Sequence, residues 1–507
     1  MERQLTMQRL ENYNLLFDSD LFQEETLEII VPDSKEDIGQ ISYADGQIRL
    51  TGKTTRDGTV TLDGVLDCWI LYEPENDHGI CRMEASIPFT IRQDVPGLTG
   101  ECICVASPVV RSIDCRLLNP RKVLLRADLG AGIKLYQWEE LQTSTDILSD
   151  ETDGIQMLKK DMNAFLVRDV TEKEFTVYDE IRLQNGPSDN CEVVGTSIKA
   201  VCSQAKVIGN KLVLKGEARV VIRYVAEDRV CCTSTTISFS QVMDSNSASE
   251  ESDCAVELCV TGVNCTSTGE DGRALELSVD LLAQAVLRDK CPLTVLLDAY
   301  STKKRFSATR RELQIPQLLE HTGCTKNVCE TIQTQEKVRT VLESSVSCVQ
   351  VRKCKEGNDL CLEGQLVLRV LFINESNKLQ SLERMMRISG TLDNPNQAVS
   401  EVQCICPGDI YVNTAAEGVE LRFDVEFRWL TTDTITVHAI SSVELEEIST
   451  NEQLNNASVI LSMTGPNEQL WDIAKRYRTT KESIRRANEL SDEELPSGKM
   501  LLIPANI

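Results

Sequence analysis

Between Leu62 and Tyr72 the chain alternates. Leu66, Cys68, Ile70 and Tyr72 are apolar, and Asp67 falls between the first two. A period of two is the mark of a strand with one buried face. The stretch comes back twice, at Leu214–Tyr224 and Leu362–Phe372, with Gly64, Gly216 and Gly364 in register. Behind each glycine the same alternate positions stay apolar: Leu66, Ala218 and Leu366, then Cys68, Val220 and Leu368, then Ile70, Ile222 and Val370. The glycine predicts a bulge or a close backbone approach. A second strand pattern, Val123–Leu129, recurs at Leu275–Leu281 and Val419–Val425 and aligns Asp128, Asp280 and Asp424. These aspartates read as outward polar positions or turn bonds rather than catalytic groups. Two markers at nearly the same spacing predict three repeats.

Elsewhere the period is less plain. Leu10, Leu15, Leu16, Leu21 and Phe22 predict an amphipathic helix, ahead of a strand over residues 26–31. Ile155 to Phe165 is helix-like behind the acidic stretch Thr143–Gly154, and residues 314–341 read as mixed helix and loop. At the end, Val459–Met463 and Met500–Pro504 read as strands around a helix at Leu470–Tyr477. A second helix is capped by Thr480 and buries Ile484, Ala487 and Leu490. Trp471 is expected in the core of this tail. The expected architecture is mainly β, with three repeated, β-sandwich-like domains at 1–143, 171–300 and 301–448. A linker and helix fill 144–170, a polar linker fills 449–458, and a β-α-α-β module occupies 459–507.

Charge changes the picture. The 507-residue chain carries a net −26, yet its last 49 residues hold seven basic and seven acidic groups, so the deficit lies in the body. An acidic body argues against nucleic acid or an anionic membrane as partner. No apolar run reaches the length of a membrane-spanning helix. The opening residues lack the apolar core of a signal peptide, so a cytoplasmic location is expected. The 20 cysteines then read as reduced, small hydrophobes on strands.

The candidate chemistry is thin. Gly52-Lys53-Thr54-Thr55 ends like a phosphate loop, but position 47 is Gln where a Gly is needed, and more strand follows. Cys102-Ile103-Cys104 and Cys404-Ile405-Cys406 occupy matching places in two repeats and read as strand packing. His321 with Cys324 and Cys329 lacks a fourth ligand, so no metal is assigned. The three histidines, His78, His321 and His438, sit in no nucleophile pattern, and the acid pair Asp63 and Asp67 lies on a strand. No catalytic residue and no cofactor is assigned. The basic group Lys475, Arg476, Arg478, Lys481, Arg485 and Arg486 is a candidate docking face for an acidic partner.

The tail resembles a LysM module. The resemblance rests on Leu470–Tyr477, on Ile484, Ala487-Asn488 and Leu490, and on Pro496–Pro504. It implies a groove for N-acetylglucosamine polymers such as peptidoglycan, here formed by Asn467, Gln469, Leu470, Asn488 and Leu490. Asn467-Glu468-Gln469 replaces the usual Gly-Asp-Thr in that groove. The repeated body resembles the SPOCS domain of spore-coat-associated proteins, through the glycine strand, the aspartate strand and openings such as Ile30-Val31-Pro32-Asp33. Three such units with one LysM resemble the clostridial type of spore coat morphogenesis protein. That resemblance implies a non-enzymatic scaffold in the mother-cell cytoplasm, at the forespore surface. Its implied partners are a coat basement-layer protein of the ATPase type or other coat proteins, with peptidoglycan as the alternative.

Overall fold

The computed structural model describes residues 2–75, 79–98, 101–183, 192–226, 229–245, 247–268, 274–356, 359–391, 399–406, 409–415, 418–448, 459–466, 468–490 and 498–504. His78, Asn467 and the 449–458 linker lie outside them. The body is built from strands that recur in one order. The first third holds β1 (Glu2–Arg3), β2 (Leu5–Ile30), β3 (Ile38–Arg56), β4 (Thr59–Pro74), β5 (Cys81–Asp94), β6 (Cys102–Asn119) and β7 (Lys122–Ile147). The second holds β8 (Ile155–Arg182), β9 (Glu192–Ile208), β10 (Lys211–Ala226), β11 (Arg229–Asp244), β12 (Asp253–Thr268) and β13 (Ala274–Ser301). The third holds β14 (Arg305–Gln333), β15 (Val338–Glu356), β16 (Asp359–Asn374), β17 (Leu379–Thr391), β18 (Val399–Ile405), β19 (Tyr411–Ala415) and β20 (Gly418–Glu446). The tail adds β21 (Val459–Met463), helix α1 (Leu470–Arg476), helix α2 (Lys481–Asn488) and β22 (Met500–Pro504).

In each third an antiparallel three-stranded sheet packs against a second sheet that contains two very long strands. The pairs are β3-β4-β5 on β2-β7-β6, then β9-β10-β11 on β12-β13-β8, then β15-β16-β17 on β14-β20 with β18 and β19. The recurring glycine strands β4, β10 and β16 are the central strands of the smaller sheets. Their alternate residues fill the sandwich cores: Leu66 and Ile70, Ala218 and Ile222, and Leu366 and Leu368 are fully buried. Burying one such leucine or isoleucine contributes about 1.5–3 kcal/mol. Gly64 and Gly216 lie opposite Phe89 and Phe239, whose rings cover them so closely that a Cβ would collide. Asp128, Asp280 and Asp424 bond across the strands to Arg111, Thr176 and Asn327 on the polar side of β7, β13 and β20.

The predicted helix near the start is instead the 26-residue strand β2. Register shifts fall at Thr6/Met7 and Leu15/Phe17. Each bulge flips the inward face by one residue. The core side therefore runs from Leu5 to the even-numbered Leu10 and back to the odd-numbered Phe17, Leu21 and Leu27. Summed over the segment, that broken period of two imitates a helical spacing. The helix-like Ile155–Phe165 is strand too, within β8. There Ile155 and Met157 face one core and Leu158 faces another, so both faces are covered. Residues 314–341 are strand in β14 and β15, apart from a short turn.

The strands β2, β7, β8, β13, β14 and β20 run 26 to 29 residues, roughly 85–95 Å. Only part of each belongs to a sandwich. The far ends of the three ladders come together as a stalk. One stalk core joins Leu10 and Leu141, Leu166 and Leu293, and Leu313 and Val437. A second joins Ile147, Leu296 and Ile440. Polar clasps cross it, including Gln8 to the Pro292 carbonyl at 2.8 Å and Ser144 to the Ile440 carbonyl at 2.5 Å.

Candidate functional site

The tail folds around Leu470, Trp471, Ile473, Ala474, Ile484, Leu501 and Ile503. Helix α2 starts where Thr480 Oγ1 accepts from the Ser483 amide at 3.1 Å, the satisfied donor an N-cap supplies. Trp471 is core, as its place in the pattern predicts. The module is also bolted to the body through the end of β13. Tyr300 meets Trp471 edge to face at 4.9 Å between ring centroids and donates its hydroxyl to the Thr479 carbonyl at 2.7 Å. Asp298 accepts from Trp471 Nε1 at 2.9 Å, from Lys475 Nζ at 2.6 Å and from Arg310 at 2.6 Å. Burial raises the Asp298 carboxyl, but Lys475, Trp471 and Arg310 outweigh it and hold the group below the usual carboxylate range.

The residues expected to form a sugar groove do not share one open surface. Leu470 is buried, and Leu490 packs against the module core. Asn488 is a structural clip. Its amide donates to the Ile484 and Leu502 carbonyls at 2.8 and 2.6 Å and accepts from the Leu502 amide at 2.7 Å. Gln469 is exposed at the N-cap of α1, and Asn467 lies outside the described residues. The basic face is largely spent within the chain. Lys475 pairs with Asp298 and Arg476 with Glu468, while Arg478, Lys481 and Arg485 also have partners. Arg486 is exposed.

A different surface of the module is open. On β21 and β22, Ile460, Leu501 and Ile503 turn inward, and Val459, Leu461, Met463, Met500 and Leu502 turn outward. Leu461 sits across from Leu502, and Met463 from Met500. These five residues are 37–66 % exposed, a continuous apolar sheet face. The pattern hinted at it: in Val459–Met463 every residue but Ser462 is apolar, so neither face of the strand is polar throughout.

The three repeats meet again at the head of the body, through charge. Arg223 on β10 is 1 % exposed. It donates to Glu343 of β15 at 2.6 Å, to Asp45 of β3 at 3.3 Å and to Ser197 at 2.9 Å, and lies over the Trp69 ring at 5.2 Å. Closer to the stalk, Glu401 of β18 pairs with Lys134 of β7 at 2.9 Å and with Arg288 of β13 at 2.5 Å. Burial raises the Glu401 carboxyl, yet Arg288 and Lys134 bring it down to about 2. Between the repeats is a cavity of about 920 Å³, lined by all three thirds of the body.

The remaining motifs resolve into structure. Lys53 of the phosphate-loop-like segment lies on β3 and reaches Glu172 at 2.5 Å and Gln284 at 2.6 Å across the boundary of the first two repeats. Asp63 and Asp67 accept from Thr90 at 2.7 Å and Ser86 at 2.9 Å, across β4 and β5. His321 bonds Asp253 at 3.3 Å, whereas Cys324 packs on the third core and Cys329 is exposed. Among the described residues no three His, Cys, Asp or Glu side chains are placed to hold a metal, and no helix is long and apolar enough to cross a membrane.

The described residues form a string of β-sandwich units with a small helical module docked at the stalk, and several of their buried ionisable groups join one unit to another. Residues 37–118 and 191–268 match the family described as "SipL, SPOCS domain", and residues 465–504 match the LysM domain. The chain thus carries SPOCS domains in two regions and a LysM domain at its C-terminal end. Both are binding-type domains, the first tied to sporulation and the second to peptidoglycan. The SPOCS matches span β3–β6 and β9–β12, so the long strands lie almost wholly outside them. No curated protein and no solved structure matches the chain.

Proposed function

We propose that this chain is a non-enzymatic scaffold of spore envelope assembly, in which the repeats gather coat proteins and the LysM module tethers them to the forespore surface in the mother cell. Residues 301–448 act as a third SPOCS-like repeat in this reading, supported by the strand order they share with the first two thirds. The observation that carries the proposal is the outward apolar face of β21 and β22, on a module whose expected sugar-contact residues Leu470, Asn488 and Leu490 are occupied within the fold. Such a face suits a protein partner, of the coat basement-layer ATPase type or another coat protein. The Asp298 clamp supports a tether, because load on the module passes directly to the stalk.

The test compares the full chain, a chain ending near residue 455 and a Met463→Asp variant as baits in extracts of sporulating cells. The full chain is expected to capture a coat protein, and both altered forms to lose it, with Met463→Asp keeping the wild-type melting temperature. Capture of no coat protein by the full chain overturns the reading. The match of residues 465–504 to LysM favours a second reading, peptidoglycan binding. It predicts that the full chain and Met463→Asp both sediment with purified cell wall and that the shortened chain does not.

A further inference from the structure

The cavity between the repeats is walled by strand edges. A sheet face would offer it every second residue of a strand. Instead it meets unbroken runs, 197–205 on β9, 254–260 on β12 and 343–353 on β15. Each of these strands is outermost in its sheet, as are β3 and β6, and β18 pairs with β20 alone. The runs therefore face the cavity edge-on, with backbone N–H and C=O groups turned into it. Where the repeats touch, such groups are met by single side chains from another repeat. Gln47 accepts from the Ile198 amide at 2.8 Å, and Arg369 donates to the Arg111 carbonyl at 3.0 Å. Gln284 accepts from the Ala106 amide at 3.0 Å and donates to the Ala106 carbonyl at 2.8 Å. On β15 a cation serves, as Lys199 of β9 donates to the Val346 carbonyl at 3.3 Å. Among the described residues no strand pairs with this edge of β15, whereas its other edge is bonded to β16 from Val338 to Glu356.

We propose that the cavity is a site for an extended peptide segment of a partner protein, which adds as a strand to the open edge of β15. A strand edge recognises main chain, so the chemistry of the wall selects a peptide. The lining carries both signs, with Asp18, Asp20 and Glu257 beside Lys199, Arg219 and Arg428, so net charge does not choose the occupant. The volume, about 920 Å³, lies in the range of ligand sites. Register fixes which groups bind. A residue of an antiparallel strand points its N–H and C=O the same way. The Val346 carbonyl faces the cavity and the register is unbroken from Glu343 to Cys348, so the Ser344 amide and carbonyl face it as well. An amide of the incoming strand replaces Lys199 at Val346. Ser347, between Val346 and Cys348 of the third core, turns its small side chain to the cavity. The inference deepens the gathering role proposed for the repeats, and its biological use rests on that role. Binding itself is read on purified chain and peptide, so the two fail separately.

The test selects a display library of random heptapeptides on the full chain. Enriched peptides are then synthesised with and without methyl groups on either set of alternate backbone nitrogens. A selected peptide is expected to bind one to one and to slow amide exchange over residues 343–353. Methylation of the set that faces β15 should weaken it at least about tenfold, because each methyl removes a main-chain donor. Ser347→Trp fills the cavity, and Ser344→Pro removes one outward donor on an edge strand, where proline is tolerated. Both variants should keep the wild-type melting temperature and bind at least about tenfold more weakly. The proposal is overturned if no peptide is enriched relative to the Ser347→Trp chain, if neither methylated form is weakened, if both variants bind as tightly as wild type, or if protection falls outside 343–353. A full chain that dimerises in ultracentrifugation, with the dimer lost in Ser347→Trp, gives the edge to a second copy and overturns it too.

Discussion

The three repeats meet in two places, both of them apolar, and only one of the two has ion pairs buried within it. The stalk is an apolar seam of Leu10, Leu166, Leu293, Ile315 and Val437. At the head Tyr43, Trp69, Leu71, Val194, Val230 and Leu371 form a second apolar seam in which Arg223 holds Asp45 and Glu343, and nearer the stalk Glu401 holds Lys134 and Arg288. Apolar contact is non-directional, so the stalk by itself distinguishes three similar repeats only weakly. The buried charges distinguish them. Arg223 stands where the other repeats have Leu71 and Leu371, and each acid that faces it comes from a different repeat. Adhesion is shared by both seams, and identity is carried by the buried charges.

The sharpest break in this comparison is Arg223→Leu. It leaves Asp45 and Glu343 facing each other in a buried site, and is expected to cost about 3–5 kcal/mol in urea unfolding. Adding Asp45→Asn and Glu343→Gln should recover most of that loss. An unchanged midpoint for the single variant would show that the head does not specify the order. On the apolar side, Ile315→Ala empties a fully buried position and should cost about 2–4 kcal/mol whatever the pH.

Acid separates the seams further. The Glu401 carboxyl lies at about 2, against 4.5 when free. A depressed carboxyl contributes stability that is complete above 4.5 and is lost as pH falls towards 2. The loss is on the order of 2–3 kcal/mol and should vanish in Glu401→Gln. Asp298→Asn should loosen the tail at a cost of about 1–3 kcal/mol, seen as faster proteolysis between residues 449 and 458. The smallest effect is at His321, which is raised by its bond to Asp253 and opposed by burial. Its contribution is full below pH 6.5 and fades as pH rises through the raised value. With half its side chain in solvent, the effect stays under about 1 kcal/mol, readable as a small drop in melting temperature.

The sandwich cores were legible because β4, β10 and β16 each bury one face against a sheet from the same third, so the alternation survives in the residues. Helix α1 was legible because Leu470, Trp471, Ile473 and Ala474 fall on one side. The stalk was not, since bulges in β2 reverse the buried parity and Leu158 on β8 is covered by a distant module. Asp298 reads along the chain as one more polar residue of β13. The marker that the alignment of the repeats does expose is Arg223, which stands in a column of leucines.

Leu62–Tyr72 and its two echoes, by themselves, determined the unit of this protein: a strand with one buried face, a glycine under a ring or a bulge, and three copies of it. The LysM tail was likewise set by local spacing, because its core forms over some 40 residues. The tertiary structure alone decided how the copies are joined. It brought Arg223 to Asp45 and Glu343, set Glu401 between Lys134 and Arg288, closed Asp298 on Trp471 and Lys475, and turned Met463 and Leu502 to solvent. Periodicity reports which side of a strand is buried. It carries no information about which of several similar surfaces will cover that side, because that choice rests on charges more than a hundred residues apart in the chain.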